Sequence, residues 1–220
     1  KTTKPFTIRG ASPQSVIPDL GLNGIFKTKS TTIAIFIAII LLQDFIPFFG
    51  NIPLGPLSIT TLHVTVIIAA IVLGPMDGAI IGGVWGILTW VRAFVAPSSP
   101  LAPLVFVNPL VSVFPRIMIG FFAGYTFILL YRLFKSKYGA AIGAAVIGTL
   151  TNTGLVLSFI YLFYRTPAVA QTYGVNVTHL LIALETIMAT NGLAELILAI
   201  IVVPMVAIPV LEVRRRLEVN

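Results

Sequence analysis

Six apolar runs, separated by short polar or proline-containing segments, organise the chain after its first thirty residues. In a bilayer every backbone polar group must be hydrogen-bonded within the protein, so apolar runs of this length predict helices. The alternating ten-residue segments typical of a membrane β-barrel are absent. We therefore predict an all-α integral membrane protein, a six-helix transmembrane bundle, with helices over residues 31–49, 61–73, 78–95, 112–131, 139–164 and 178–210.

Two of these runs differ from an ordinary span. Residues 61–73 fall short of the roughly 20 apolar residues that a crossing helix needs, which predicts a tilted or only partly inserted helix. The last run, 178–210, is longer than a bilayer requires. It contains Asn191 next to Gly192, and then Pro204 and Pro209. These residues predict a helix that is interrupted at both places.

The composition agrees with a membrane protein. Hydrophobic residues make up 57% of the chain and charged residues 10%, with a mean hydropathy of +1.03. A soluble domain carries about 25% charged residues. The absence of cysteine excludes disulfides and thiolate metal sites. The net charge is +7, but the basic residues are not interleaved with aromatic residues, so we expect no nucleic-acid partner.

The lysines and arginines predict the orientation of the bundle. Most of them fall in three clusters: Lys1, Lys4, Arg9, Lys27 and Lys29; Arg132, Lys135 and Lys137; and Arg214, Arg215 and Arg216. With six spans all three clusters lie on one side, which the positive-inside rule makes the cytoplasm. Both termini are therefore expected in the cytoplasm. Residues 1–30 form a polar N-terminal extension without a signal-peptide core, 31–213 the transmembrane domain and 214–220 a basic tail.

Small residues recur every four positions in two of the runs. Ala34 and Ala38 share one helix face, and Gly78, Gly82 and Gly86 share another. Such faces let two helices approach closely in lipid, where burial of apolar area gains little. For the glycines we predict packing within the bundle. For the alanines, packing within the bundle and docking to a separate membrane protein both remain open.

The chain carries no nucleotide or hydrolase motif. A phosphate-binding loop requires Gly-Lys followed by Ser or Thr, and no Gly-Lys pair occurs in the sequence. The Gly-x-Ser-x-Gly and His-Glu-x-x-His patterns are also absent. We therefore expect no catalytic residues, no metal site and no cofactor. Work that depends on ATP would have to be done by other subunits.

Arg92 and Arg116 bracket a proline-rich outer segment, 96–109. Charged residues at membrane depth are expensive and mark candidate sites. Both guanidinium groups can face one outer cavity if the segment folds back over the bundle, and each offers a fork that matches a carboxylate. The alternative is that each arginine reaches the lipid headgroups at a helix end.

Other polar residues complete the candidate set. Trp90 precedes Arg92, and Asn108 precedes Pro109, which favours an extended backbone and an amide presented at the loop tip. Asn152 lies near the middle of the fifth run. Candidates that also allow a structural role are His63, as an interface histidine, and Glu185, as an ion-pair partner of Arg92 or Arg116. The predicted binding residues are Arg92, Arg116, Asn108, Trp90, Asn152, His63 and Glu185.

Three segments carry a resemblance to a known family. They are GPLSITTLH at 55–63, LGP at 73–75 followed by Gly78 and Gly82, and FVNPLVSVFPR at 106–116. Together with the Ala34–Ala38 pair they resemble the substrate-binding S-components of bacterial energy-coupling factor vitamin transporters, in particular those specific for pantothenate. The resemblance covers residues 31–213. The segment 58–62 lacks the arginine of folate-type S-components, which counts against folate.

The resemblance implies a division of labour. The S-component would capture a vitamin in an outward-facing pocket of a multi-pass protein in the bacterial cell membrane. A transmembrane coupling protein (the T-component) would dock on the Ala34–Ala38 face, and two cytoplasmic ABC-type ATPases would drive it. Uptake in this family is attributed to toppling of the S-component. Two alternatives stay open: an S-component for another small vitamin, and a stand-alone ion-coupled carrier in which Glu185 and Glu195 relay protons.

Overall fold

The computed structural model describes residues 29–46, 49–54 and 57–219, and helices dominate this part of the chain. Nearly all of the predicted N-terminal extension lies outside the described residues. The elements in order are α1 Lys29–Phe45, β1 Asn51–Leu54, β2 Leu57–Thr60, α2 Leu62–Leu73, α3 Pro75–Val95, α4 Ala102–Val105, α5 Pro109–Ser112, α6 Phe114–Phe134, α7 Lys137–Phe163, α8 Pro167–Thr172, a 3₁₀ turn Val177–His179 and α9 Leu180–Val219. Strands β1 and β2 form an antiparallel hairpin that pairs Asn51 with Thr60.

Four segments in the described part of the chain are long and apolar enough to cross a membrane: α3, the stretch Pro109–Phe134, α7 and the stretch Val177–Arg214. Helices α1 and α2 are shorter, at 17 and 12 residues. The prediction of a helical membrane protein is confirmed, and the β1–β2 hairpin is an element that was not predicted. The count of six spans and the cytoplasmic termini stay predictions.

Helix α2 forms the centre of the bundle. Eleven of its twelve residues are buried, and it contacts α1, α3, α6, α7 and α9. A helix that is apolar all round belongs in an interior, where every face meets protein. The short second run of the sequence therefore corresponds to a helix enclosed by its neighbours.

The glycines of α3 allow its close approach to α6. A Cβ atom at Gly86 would lie 2.7 Å from the Cα atom of Val113, and one at Gly82 would overlap the carbonyl of Arg116. On the opposite side, Gly120 of α6 meets the backbone of Gly78. The predicted packing role of the glycine face is confirmed.

Basic residues from several helices meet at one end of the bundle. Lys29 pairs with Asp77 at 2.8 Å, and Lys137 pairs with Glu212 at 3.3 Å. Arg214 donates a hydrogen bond to the carbonyl of Val72. These contacts join the ends of α1, α2, α3, α7 and α9. We call this the basic end, and the opposite end, which carries the β1–β2 hairpin, the hairpin end.

Helix α9 is continuous, so the predicted interruptions at Asn191–Gly192 and at Pro204 and Pro209 are both wrong. A single glycine inside a helix costs only about 1 kcal/mol, which the surrounding helix can absorb. Pro204 and Pro209 also lie inside α9. Proline is tolerated in membrane helices because neighbouring groups satisfy the freed backbone carbonyls.

Candidate functional site

Five buried polar residues from four helices gather inside the bundle toward the hairpin end. They are His63 of α2, Arg116 of α6, Thr149 and Asn152 of α7, and Glu195 of α9, which we call the buried polar cluster. Gly148 of α7 packs on Ile67 of α2, so that a Cβ at Gly148 would lie 2.6 Å from Ile67 Cγ1. Helices α2 and α7 run in opposite directions. One turn closer to the hairpin end, Asn152 follows Gly148 by four residues and His63 precedes Ile67 by four, so Asn152 and His63 lie at the same level.

Arg116 is the cation of this cluster, and its side chain points into the protein. Only 6% of the residue is exposed. Its Nη1 atom donates a hydrogen bond of 2.8 Å to the carbonyl of Val111, at the end of α5. The guanidinium lies 5.0 Å from the ring centre of Trp85 and 5.3 Å from that of Phe106, which is cation–π geometry. Its Nε–H has no partner among the described residues.

Glu195 joins three parts of the molecule. Its Oε1 atom accepts a hydrogen bond of 2.9 Å from the backbone amide of Thr60 in β2. Its Oε2 atom accepts one of 3.2 Å from the hydroxyl of Thr153 in α7. The carboxylate is also close enough to Arg116 for electrostatic attraction. Glu195 therefore connects the hairpin, α7 and the cation of the cluster.

The cluster holds hydrogen-bonding atoms that the described residues leave unused. These are Thr149 Oγ1, Asn152 Oδ1, Arg116 Nε and a ring nitrogen of His63. Most buried polar groups in proteins have partners, and one without a partner costs free energy. A small polar molecule with an anionic group can supply those partners. In the described part of the chain no group of three His, Asp or Glu residues can hold a metal ion.

Trp90 and Asn108 form hydrogen bonds at the outer segment. Trp90 Nε1 donates a hydrogen bond of 2.9 Å to the carbonyl of Val107. Asn108 adopts the extended backbone predicted from Pro109, with φ −93° and ψ 119°. Its Oδ1 atom accepts a hydrogen bond from the amide of Leu110 and caps α5. A ligand-binding role for Asn108 stays a prediction.

The two arginines around this segment have different partners, and no contact between described residues brings both guanidinium groups to one cavity. Arg92 Nη1 lies 2.9 Å from Asp44 Oδ1 and donates a hydrogen bond of 2.6 Å to the carbonyl of Asp44. Glu185 is exposed on α9 and forms no ion pair with either arginine, so its predicted pairing is wrong. Arg92 binds Asp44, and Arg116 donates to the carbonyl of Val111.

The sequence reasoning missed two acidic residues of this region. Glu195 was identified only as a proton-relay residue and Asp44 was not identified. A signal existed for both, because an acid inside an apolar run marks a paired or functional group.

Ala34 and Ala38 lie on the exposed face of α1. The buried face of the same helix carries Thr32, Phe36 and Ile40. The alanines therefore do not pack against other helices of the described chain, and their face is open to a separate membrane protein.

Known proteins similar to this chain agree on one family. It is 35% identical over 191 residues to the pantothenic acid transporter PanT of Lactococcus lactis subsp. cremoris, covering 80% of this chain and 91% of that protein. It is 38% identical over 187 residues to the pantothenate transporter PanT of Leuconostoc mesenteroides subsp. mesenteroides, covering 80% and 89%. The family model described as "ECF transporter, substrate-specific component" matches residues 28–207. The chain therefore belongs to the family of substrate-specific components of ECF transporters.

Proposed function

We propose that this protein is the pantothenate-capturing S-component of an ATP-driven ECF importer. The observation that carries the proposal is a buried polar cluster with one cation, Arg116, in a chain 35–38% identical to two pantothenate transporters. The protein binds the vitamin and does not hydrolyse ATP, which is the role of partner subunits in the complex.

The proposed orientation places the buried polar cluster nearer the outside of the cell. The bundle crosses the membrane six times, with α1 and α2 as the two short spans. The positive-inside rule puts the basic end, with Lys29, Lys137 and Arg214, in the cytoplasm. The hairpin end then faces the outside, where a scarce vitamin has to be captured.

Pantothenate chemistry matches the groups of the cluster. The molecule is a monoanion with two hydroxyls and one amide. We assign its carboxylate to Arg116, because a guanidinium binds a carboxylate with charge-assisted hydrogen bonds. The hydroxyls and the amide would bind Asn152, Thr149, His63 and Glu195. Aromatic walls from Trp85 and Phe106 suit a small, mostly enclosed ligand.

The proposed energy source lies in other proteins. A transmembrane coupling protein docks on the Ala34–Ala38 face, and two ABC-type ATPases drive it. The proton-relay alternative loses support because α9 is unbroken and Glu185 is exposed. Glu185 and Glu195 are also ten residues apart, which is about 15 Å along a helix.

Two experiments test the proposal. Mass spectrometry of the small molecule retained by the purified protein should identify pantothenate, and a different vitamin would redirect the assignment. In liposomes, the protein alone should bind pantothenate without accumulating it, with or without a proton gradient. Addition of the coupling protein, the two ATPases and internal ATP should start accumulation. Accumulation by this chain alone would contradict the S-component assignment.

A further inference from the structure

Helix α1 packs mainly against α2 and α3. Its buried side carries Thr32, Phe36 and Ile40, and Ala34 and Ala38 are exposed. Between its polar ends, residues 33–42 of α1 are all apolar. Lipid tails are as apolar as leucine, so apolar burial alone does not determine which side of such a helix faces the protein. The rotation of α1 therefore depends on its polar contacts.

One strong polar contact holds the hairpin end of α1. The Asp44 side chain is only 6% exposed, and Arg92 Nη1 binds both its Oδ1 atom, at 2.9 Å, and its backbone carbonyl, at 2.6 Å. The cation, Arg92, belongs to the last turn of α3, and the acid, Asp44, belongs to the last turn of α1. In the neighbouring contact, the hydroxyl of Thr65 in α2 donates to Gln43 Oε1 at 2.8 Å. The Arg92 side chain is 26% exposed, so the pair is half-buried, and breaking it leaves the enclosed Asp44 carboxylate without its partner.

A second ion pair holds the basic end of the same helix. Lys29 Nζ lies 2.8 Å from Asp77 Oδ2, again between α1 and α3. Its lysine side chain is 60% exposed, so this pair contributes little. The positions of Lys29 and Asp44 are about 22 Å apart along the helix. Contacts at both ends oppose rotation of α1 about its axis, and the more enclosed pair at the hairpin end contributes more.

We propose that Asp44 and Arg92 are positioning residues for docking: their ion pair holds α1 so that Ala34 and Ala38 face outward, toward the coupling protein. The inference rests on the proposed function for the identity of the docking partner. It gives Arg92 a role distinct from that of Arg116, with one arginine orienting the docking helix and the other serving the ligand.

The orientation of α1 can be tested without any partner. The chain has no cysteine, so single-cysteine variants report one position each. In micelles, A38C should react readily with a maleimide and I40C should not. In an R92Q background, labelling of I40C should rise by about tenfold or more, because the unpaired Asp44 carboxylate drives α1 to turn. R92K, which keeps the charge, should retain the original pattern. An unchanged pattern in R92Q and in the neutral double variant D44N/R92Q would overturn the inference.

Docking is then measured on the same variants in the complete complex. R92Q should bind the coupling protein and its ATPases at least about tenfold more weakly, with pantothenate affinity unchanged, and R92K should restore docking. A parallel loss of pantothenate binding and thermal stability would indicate general unfolding and would contradict a positioning role. If α1 turns in the labelling experiment but docking is unaffected, the ion pair orients the helix and the proposed docking face is wrong.

Discussion

Glu195 of α9 accepts a hydrogen bond of 2.9 Å from the backbone amide of Thr60, the last residue of the β1–β2 hairpin. The same carboxylate lies near Arg116. The Glu195 side chain therefore holds the hairpin and also lies near the positive charge of the site. A ligand carboxylate bound to Arg116, as proposed, would alter the electrostatics of Glu195 and thereby link occupation of the site to the position of the hairpin.

Replacement of Glu195 by glutamine should loosen the hairpin. A hydrogen bond to a charged acceptor is stronger than one to a neutral amide by about 1 kcal/mol. We therefore expect the Thr60 amide of E195Q to exchange its hydrogen about fivefold faster, as measured by hydrogen–deuterium exchange. The matched control is E185Q, at the exposed glutamate of the same helix, which should leave exchange unchanged. Equal effects of both variants would contradict a specific hydrogen bond between Glu195 and the Thr60 amide.

Loss of Arg116 should weaken ligand binding. R116A removes the cation proposed to bind the vitamin carboxylate, and calorimetry should show a loss of about 1.5–3 kcal/mol in the free energy of pantothenate binding. R116K should recover part of this loss, because lysine keeps the charge but lacks the planar fork. R92A serves as the control, because Arg92 binds Asp44. The pantothenate affinity of R92A should be unchanged. A loss in R92A equal to that in R116A would disprove the separate roles.

A large side chain on the alanine face should block docking and spare ligand binding. A34W places an indole where the coupling protein is proposed to approach, and small residues are what permit close helix contact. Pantothenate affinity should be normal, while copurification of the complex and ATP-dependent uptake should be lost. A189W, at an exposed alanine of α9, is the matched control. Normal uptake by A34W would show that the docking face lies elsewhere.

The contact between α3 and α6 should not accept a methyl group. In G120A the new Cβ overlaps the backbone of Gly78, and overpacking of this kind costs about 1–3 kcal/mol. The melting temperature in detergent should fall. In G154A the new Cβ meets no atom within 4 Å among the described residues, and alanine in a helix gains about 0.5–1 kcal/mol over glycine. A similar melting temperature for both variants would refute the close contact.

Hydropathy predicted the helices well because lipid imposes one rule on every span. The third predicted run begins three residues after the first residue of α3, and the fifth predicted run nearly coincides with α7. The same rule does not say where a chain bends. Asn191 and Gly192 favour a break in isolation, but α9 continues through them, because packing against α7 and α2 outweighs a weak local preference.

The candidate site was only partly predictable, because sequence spacing does not give the rotation of a helix. Arg92 and Arg116 look equivalent around one proline-rich segment, and three-dimensional structure separates them. Arg92 meets Asp44, 48 residues earlier in the chain, and Arg116 turns inward toward Glu195, 79 residues later. Contacts at such separations depend on how whole helices pack, which one sequence without its relatives does not reveal.

Helix α2 has a consequence for how the protein enters the membrane. Its twelve residues rise about 18 Å, whereas the hydrocarbon core is about 30 Å thick. Inserted alone, the segment would leave both of its ends, with their unpaired backbone groups, in hydrocarbon. In the bundle one end continues into Thr61, whose amide bonds to Gly50, and the other gives the Val72 carbonyl to Arg214. Arg214 belongs to the last helix, so the hydrogen bonds at both ends of α2 are complete only after the rest of the chain has been synthesised.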